Sequence, residues 1–321
     1  MAYPQPAVAV WVTGLVVAVL AAVAATAVIW SAPTHRPGAP ALAQPGALCG
    51  QVPAVRPVVR HVIVVMLENR SYSQVVGSPA APYQTKLARA CGSAAEAFGA
   101  THGSASNYLA ASAGQYPSSS LHGCNYSACA SGETNIYQQL DSAGLSWKAY
   151  EESMPLACDK SSAWPYKIGH NPAIFYTGIS SAECRADDVP VAGLTARSGA
   201  FYEDMRSGTL PSVAWVTPNR NNDGEKPCPA SCALRSADIW LRRFLTLVSA
   251  APAYQNGSIL VLVIYDEGRG PDNKFGENCA NETADLAGLQ PSCHLPLFAV
   301  WQYGKPGNVG TFFTLYSVTR T

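Results

Sequence analysis

Two uninterrupted apolar runs dominate the hydrophobic pattern of the chain. They are His61–Leu67 (HVIVVML) and Ile259–Tyr265 (ILVLVIY), and both are rich in β-branched residues. A run of this length without polar alternation is typical of a strand that is buried on both faces. Shorter apolar runs at residues 212–217 and 296–301 predict two further strands.

Helical periodicity is found between these runs. It predicts helices over residues 83–90, 135–143 and 236–250. In the last of these, Ser236 is placed to cap an apolar face formed by Ile239, Phe244, Leu245 and Val248. Doubly buried strands that alternate with helices indicate an α/β fold, with a mostly parallel central sheet flanked by helices. We expect one such domain over residues 49–321.

The N-terminal segment differs from the rest of the chain in composition. Residues 7–30 carry no charge and are long enough to span a bilayer as a hydrophobic helix, which needs roughly 20 residues. No basic residue precedes them, which favours an uncleaved signal anchor, but Ala41–Ala43 leaves a cleaved signal peptide open. We therefore interpret residues 1–30 as an anchor or export signal and residues 31–48 as a Pro/Ala-rich linker.

Ten cysteines indicate the compartment. They stand at positions 49, 91, 124, 129, 158, 184, 228, 232, 279 and 293. An even number spread along an exported chain is typical of disulfides formed in an oxidising compartment, and we expect neighbours in sequence to pair. Zinc is the alternative, although neither close pair, Cys124/Cys129 or Cys228/Cys232, has the CxxC spacing. The domain is therefore predicted to be extracytoplasmic, either secreted or held at the membrane through residues 7–30.

Composition excludes two classes of protein. The 21 basic residues balance the 21 acidic ones, so the chain lacks the positive surplus that a nucleic-acid-binding protein needs for phosphate contacts. A hydrophobic fraction of 48% excludes a disordered chain. Oligomeric state is left open by the sequence.

Polar pairs follow both long apolar runs. Glu68 and Asn69 come directly after the first, and Asp266 and Glu267 directly after the second. Ligands of open α/β sheets gather at the carboxyl ends of strands, and carboxylate and amide oxygens suit a divalent metal ion. The alternative is that these side chains only cap helices or shape loops.

A third candidate feature is the segment THGSASNYLAASAG at residues 101–114. Ser104 precedes a stretch, Asn107–Ser112, that is compatible with a short helix. A hydroxyl at a helix N-terminus lies in the positive end of the helix dipole, a position that suits phosphate binding and nucleophilic catalysis. The alternative function of Ser104 is a helix cap.

Nine short segments, in the same order along the chain, resemble a phosphoesterase family that includes secreted acid phosphatases and phospholipases C. This family has an alkaline-phosphatase-like core. The segments are HVIVVMLENRSYSQVVG, APYQTKLA, THGSASNYLAASAG, WKAYEESMP, HNPAIFY, GTLPSVAWVTPNRNND, ADIWL, AYQNGSILVLVIYDEG and HLPLFAVWQYGKPG.

The resemblance implies a role for each matching residue. It implies one divalent metal ion, of unknown identity, bound by Glu68, Asn69, Asp266 and Glu267. Ser104 is implied to be the nucleophile that accepts the phosphoryl group, with His170 facing the phosphate or leaving group and His294 contacting metal or substrate. The implied substrate-binding residues are Asn107, on a phosphoryl oxygen, His102 and Asp223.

These roles predict an exported, metal-dependent phosphoric ester hydrolase, most simply an acid phosphatase that works through a phosphoserine intermediate. A phospholipase C is the alternative enzyme. A second alternative is a weak or silent phosphate-binding homologue, because the chain departs from the family pattern. Glu225 and Lys226 stand where the family has His and Asp, and Gly103 replaces a proline.

Overall fold

The computed structural model describes residues 46–53, 55, 57–115, 130–225, 228–269, 279 and 292–320. The predicted N-terminal anchor or signal, most of the linker, and Cys124 and Cys129 lie outside these residues. The strands are β1 (His61–Leu67), β2 (Gly92–Ala94), β3 (Ala97–Phe98), β4 (Trp147–Glu152), β5 (Asp188–Val191), β6 (Val213–Thr217), β7 (Ile259–Tyr265), β8 (Leu297–Val300), β9 (Gly307–Val309) and β10 (Phe313–Thr314).

Eight of these strands form one sheet, in the order β5-β4-β6-β1-β7-β8-β2-β9. The five strands from β5 to β7 are mutually parallel, while β8 runs antiparallel to β7 and to β2. The predicted mostly parallel sheet is therefore confirmed, and β1 and β7 match the predicted boundaries. Strand β4 was not predicted, because its sequence WKAYEE lacks a continuous apolar run.

Helices pack on the sheet and complete the core. They are α1 (Tyr72–Val75), α2 (Pro82–Ala90), α3 (Ser104–Ala113), α4 (Ile136–Ser142), α5 (Ser181–Asp187), α6 (Ala200–Ser207), α7 (Ala230–Ser249) and α8 (Pro252–Gln255). Short 3-10 turns occupy Ile168–His170, Ala173–Phe175 and Leu315–Arg320.

Helix α7 corrects one prediction. It begins six residues earlier than expected, after Pro229, whose missing N–H is no loss at a helix start. Ser236 therefore lies inside the helix and is not its cap. Phe244, Leu245 and Val248 are buried as predicted, whereas Ile239 is exposed and Trp240 and Leu241 belong to the buried face instead.

Four disulfides join cysteines that are neighbours in sequence, as predicted. The pairs are Cys49–Cys91, Cys158–Cys184, Cys228–Cys232 and Cys279–Cys293. No cysteine of the described part is free, so zinc binding by Cys228 and Cys232 is excluded. Within the same ranges, no helix has both the length and the apolar character that a membrane crossing requires.

Candidate active site

The site begins where β1 and β7 end side by side. Their parallel register pairs Leu67 with Tyr265, so the next residues, Glu68 and Asp266, emerge together at the same edge of the sheet. Asn69 has a left-handed backbone, with φ of 57°, which turns its N–H toward Asp266 Oδ1 at 3.0 Å. Its side-chain amide donates to Glu68 Oε2 at 2.7 Å. Three of the four predicted metal ligands are thus in mutual contact.

Ser104 contacts Glu68 of this group from helix α3. It is the first residue of α3, and its hydroxyl donates to Glu68 Oε2 at 2.9 Å. The preceding residue, Gly103, has φ of 124°, a conformation that side-chain-bearing residues rarely adopt. The unpaired N–H groups at the start of α3 therefore lie beside the predicted nucleophile, where they favour a negatively charged group.

The loop before Ser104 is held by Asn107 and Glu267. Asn107 is fully buried, and its Oδ1 accepts from the backbone N–H groups of Ala100 and Thr101, both at 3.0 Å. Its amide donates to Thr101 O at 2.8 Å and to Gly103 O at 3.3 Å. These four bonds use the full capacity of an amide. Asn107 thus positions the loop. Its predicted hydrogen bond to a phosphoryl oxygen would have to replace one of these four bonds.

Glu267 and His102 form the next layer behind this loop. Glu267 Oε2 accepts from the Gly103 N–H at 2.8 Å and lies 3.2 Å from His102 Nδ1. The other ring nitrogen of His102 lies 3.2 Å from Ser292 Oγ and beside the Cys279–Cys293 disulfide, whose bonded sulfurs are unsuited to metal binding. His102 therefore supports the loop from behind, and Glu267 uses one oxygen for the same purpose.

His170 faces the acids from a different direction. Its Nε2 lies 3.2 Å from Glu68 Oε1, and its Nδ1 lies 3.7 Å from Asp223 Oδ2. The ring stacks on Tyr108, with centroids 5.4 Å apart. Burial, helped by the charges of Lys167 and Arg220, holds the pKa of His170 well below its usual value. Burial therefore favours the neutral form of this imidazole.

Three buried carboxylates of the site have no matching supply of hydrogen-bond donors. Glu68 Oε1, Asp223 Oδ2 and Asp266 Oδ2 each lack a hydrogen-bond partner. Burial raises the pKa of all three, and mutual repulsion adds to it: Asp266 acts on Glu68, Glu68 on Asp223, and Glu267 on Asp266. Unpaired buried oxygens at this density fit a divalent cation, which would neutralise them.

A search for relatives places the chain among known proteins. The model of the Phosphoesterase family matches residues 77–321. The chain belongs to this family. A phosphatidylinositol-3-phosphatase of Mycobacterium tuberculosis is 30% identical over 222 residues, which cover 69% of this chain and 68% of that protein. A probable acid phosphatase of Kluyveromyces lactis is 27% identical, and the match covers 65% of this chain but only 47% of the Kluyveromyces protein.

Solved structures support the fold. A member of the alkaline phosphatase superfamily from Vibrio parahaemolyticus superposes with a TM-score of 0.55 at 10% identity, covering 90% of this chain and 69% of that one. The lipoteichoic acid synthase LtaP of Listeria monocytogenes gives 0.53 at 11% identity, covering 81% and 70%. The predicted alkaline-phosphatase-like core is confirmed. The chain is a phosphoric ester hydrolase by family.

His294 lies apart from the acids of this phosphoesterase. Its Nε2 is 2.6 Å from Ala95 O, and its ring stacks between Tyr72 and Phe98 at 4.6 and 5.4 Å. The described contacts of the ring are thus with the β2–β3 loop and α1, and not with Glu68 or Asp266. Its predicted contact with metal or substrate has no counterpart in this geometry.

The structure adds residues that the sequence did not indicate. Glu225, interpreted from the sequence as a lost histidine, offers a carboxylate oxygen within 4.8 Å of ligand atoms of His170 and Asp223. Arg220 pairs with Glu225 at 3.3 Å and lies over the ring of Trp164. One available signal was missed: Arg220 comes three residues after the predicted strand at 212–217, at the carboxyl end of that strand.

Proposed function

We propose that this phosphoesterase is an exported, metal-dependent phosphomonoesterase of the acid phosphatase type, with Ser104 as nucleophile. One observation carries the proposal: the Ser104 hydroxyl, at the N-terminus of α3, donates to a buried carboxylate whose other oxygen lacks a hydrogen-bond partner. The relatives named as phosphatases support a monoesterase over a phospholipase C.

The residues of the site suggest how the reaction proceeds. Ser104 Oγ attacks phosphorus as Glu68 takes up its proton, an Oγ–P bond forms, and the bond from phosphorus to the leaving oxygen breaks. The leaving alkoxide is protonated by solvent or by a group of the site. Water then attacks the phosphoserine, and Ser104 and inorganic phosphate are released. The N–H groups at the start of α3 stabilise the phosphoryl oxygens throughout.

Glu68, Asn69 and Asp266 are the residues that would hold a divalent ion. Their donor atoms are oxygens, and Glu68 and Asp266 each keep one oxygen that no protein donor satisfies. Glu267 would take part only through the oxygen that the loop leaves free. When bound, the ion would polarise the phosphoryl group and lower the pKa of the Ser104 hydroxyl.

His170 is proposed to serve the same site in its neutral form. A neutral imidazole between Glu68 and Asp223 is able to accept a proton during turnover and to return it, and the raised pKa of Asp223 favours such sharing. Asp223 also fixes the neighbouring loop, because its Oδ1 accepts from the Glu225 N–H at 2.8 Å.

Export is supported by the four disulfides, which persist in oxidising compartments. The apolar residues 7–30 would then act as the signal or anchor. Oxidised, unreduced protein should accordingly show almost no thiol labelling, and four or more labelled cysteines would contradict this part of the proposal.

The decisive experiment is hydrolysis of p-nitrophenyl phosphate by the oxidised full chain from pH 4 to 9, with calcium, magnesium, zinc and iron added singly. We expect metal-dependent release of p-nitrophenol, and a loss of about 10³-fold or more in Ser104→Ala. Ser112→Ala is a matched control, since this hydroxyl lies on the same helix and bonds Tyr108 O and Tyr176. Absence of turnover with every metal, from a folded protein, would favour the phospholipase C or the silent homologue.

A further inference from the structure

Arg220 is held at the edge of the site by three contacts. Its backbone N–H donates to Pro165 O at 3.1 Å, and its Nη2 lies 3.3 Å from Glu225 Oε2. Its guanidinium carbon lies 5.0 Å from the centre of the Trp164 ring. Two of these contacts come from the neighbouring residues Trp164 and Pro165, and the third comes from Glu225, so the guanidinium plane is held between a distant segment and its own loop.

This guanidinium is next to the catalytic group. Glu225, its ion-pair partner, has a carboxylate oxygen within 4.8 Å of ligand atoms of His170 and Asp223. His170 in turn lies 3.2 Å from Glu68, which accepts the hydrogen bond of Ser104. Arg220 is therefore connected to the predicted nucleophile through Glu225, His170 and Glu68, although the step from Glu225 to His170 is a separation of up to 4.8 Å and not a hydrogen bond.

The donors of Arg220 are only partly used. The ion pair with Glu225 engages Nη2, while Nε is buried and has no hydrogen-bond partner. About a quarter of the side chain, 24%, is exposed, and Trp164 beside it is 58% exposed, so this edge of the site is open to solvent. An arginine presents five N–H groups in a planar fork that matches two oxygens of a phosphate.

The charge of the expected ligand requires such a group. The terminal phosphate of a monoester carries up to two negative charges, and it would approach several buried carboxylates whose charges repel it. A permanently charged guanidinium at the open edge offsets that repulsion, and stacking on Trp164 keeps its fork in the orientation that binding needs.

We infer that Arg220, oriented by Trp164 and Glu225, binds the terminal phosphate of the substrate and so selects phosphate monoesters. This inference rests on the proposed function for the identity of the ligand. The competing explanation is structural: Arg220 only neutralises Glu225, and phosphate never touches it.

The two explanations predict different phosphate affinities for a double substitution. Arg220→Ala should weaken binding of inorganic phosphate by about tenfold or more, as measured by calorimetry on the full chain. If Arg220 only neutralises Glu225, then Arg220→Ala combined with Glu225→Gln should restore the affinity, because no unpaired carboxylate remains. If Arg220 binds phosphate, the double variant should stay at least fivefold weaker than Glu225→Gln alone.

Two further variants complete the design. Arg206→Ala removes an arginine that forms a similar pair with Glu203 on the surface of α6, and it should leave phosphate affinity within twofold. Arg220→Lys keeps the charge but loses the fork, and we expect an intermediate affinity. It also replaces Arg220→Ala if that variant fails to fold.

The outcomes separate this inference from the proposed function. Restoration in the double variant, or unchanged phosphate affinity in Arg220→Ala, overturns the role of Arg220 even if the protein is an active phosphatase. Wild-type protein that hydrolyses no ester contradicts the proposed function, but weaker phosphate binding in both Arg220→Ala and the double variant would still support the anion site. Wild-type protein that hydrolyses the ester but binds no phosphate overturns the role of Arg220 alone.

Discussion

Two groups of buried acids lie along the same sheet, and they are satisfied in different ways. One is the site group of Glu68, Asp223 and Asp266. The other is Glu151 on β4 and Asp188 on β5, which are equally buried and also have raised pKa values, in both cases mainly because of burial. Burial alone therefore does not distinguish a catalytic group from a structural one.

The difference between the two groups is the supply of donors. Both oxygens of Asp188 lie within 3.0 Å of the Asn171 amide, and Glu151 Oε1 accepts from Thr217 Oγ1 at 3.0 Å. Glu151 Oε2 is the one carboxylate oxygen of this pair that lacks a hydrogen-bond partner. In the site group each carboxylate keeps an unpaired oxygen. The pair of Glu151 and Asp188 is thus satisfied mainly by protein donors, whereas the unpaired oxygens of the site group fit a cation.

The largest expected effect is on metal affinity. Asp266→Asn should weaken binding of the divalent ion by about 100-fold, because it removes a charged ligand oxygen while the fold keeps an isosteric side chain. Asp188→Asn is the matched control in the other acidic group and should leave metal affinity within about twofold. Calorimetry and elemental analysis of the purified chains measure both. Equal losses in the two variants would contradict the distinction.

A second expected effect concerns the loop that carries the nucleophile. Asn107→Ala should lower kcat/KM for p-nitrophenyl phosphate by about tenfold, because four hydrogen bonds that fix residues 99–103 are lost. KM should change less than kcat, since Asn107 does not face the substrate. Asn135→Ala is the control, a helix N-cap on α4, and should cost about 1 kcal/mol of stability without changing turnover.

The smallest expected effect is a pH dependence of stability in the metal-free protein. The pKa of Asp188 is raised by burial to about 7 from an ordinary value of 3.8, so the folded state holds a proton that the unfolded chain releases. In this contribution, stability should therefore be greatest below about pH 4 and should fall as the pH rises from about 4 to about 7. Melting in a chelator, from pH 4 to 8, measures it. The slope should be reduced in Asp188→Asn, and an identical slope would contradict the assignment.

The sequence by itself determined the central strands β1 and β7 of the sheet and the position of the site at their ends. The runs at β1 and β7 are uninterrupted, because both faces of a central strand must be apolar, and their ends mark Glu68 and Asp266 without further information. The segment of small residues around Ser104 predicted a helix start, and this indicated Ser104 as the candidate nucleophile. Spacing alone does not determine cysteine connectivity, but the expected pairing of sequence neighbours agrees with the four disulfides of the described residues.

Only the tertiary structure decided which of the candidate side chains face one another. Strand β4 has no apolar run, and its Glu151 is buried because neighbouring strands cover it. Asn107, His102 and His294 were predicted to bind substrate or metal. In the structure, however, Asn107 bonds the backbone of its own loop, His102 contacts Glu267, and His294 contacts Ala95 O and two aromatic rings. Arg220 and Glu225 lie five residues apart in one loop, and only the tertiary structure brings this loop to His170 and Trp164. Local sequence specifies residue chemistry and backbone preference, whereas the direction and partners of a polar side chain depend on packing between elements far apart in the chain.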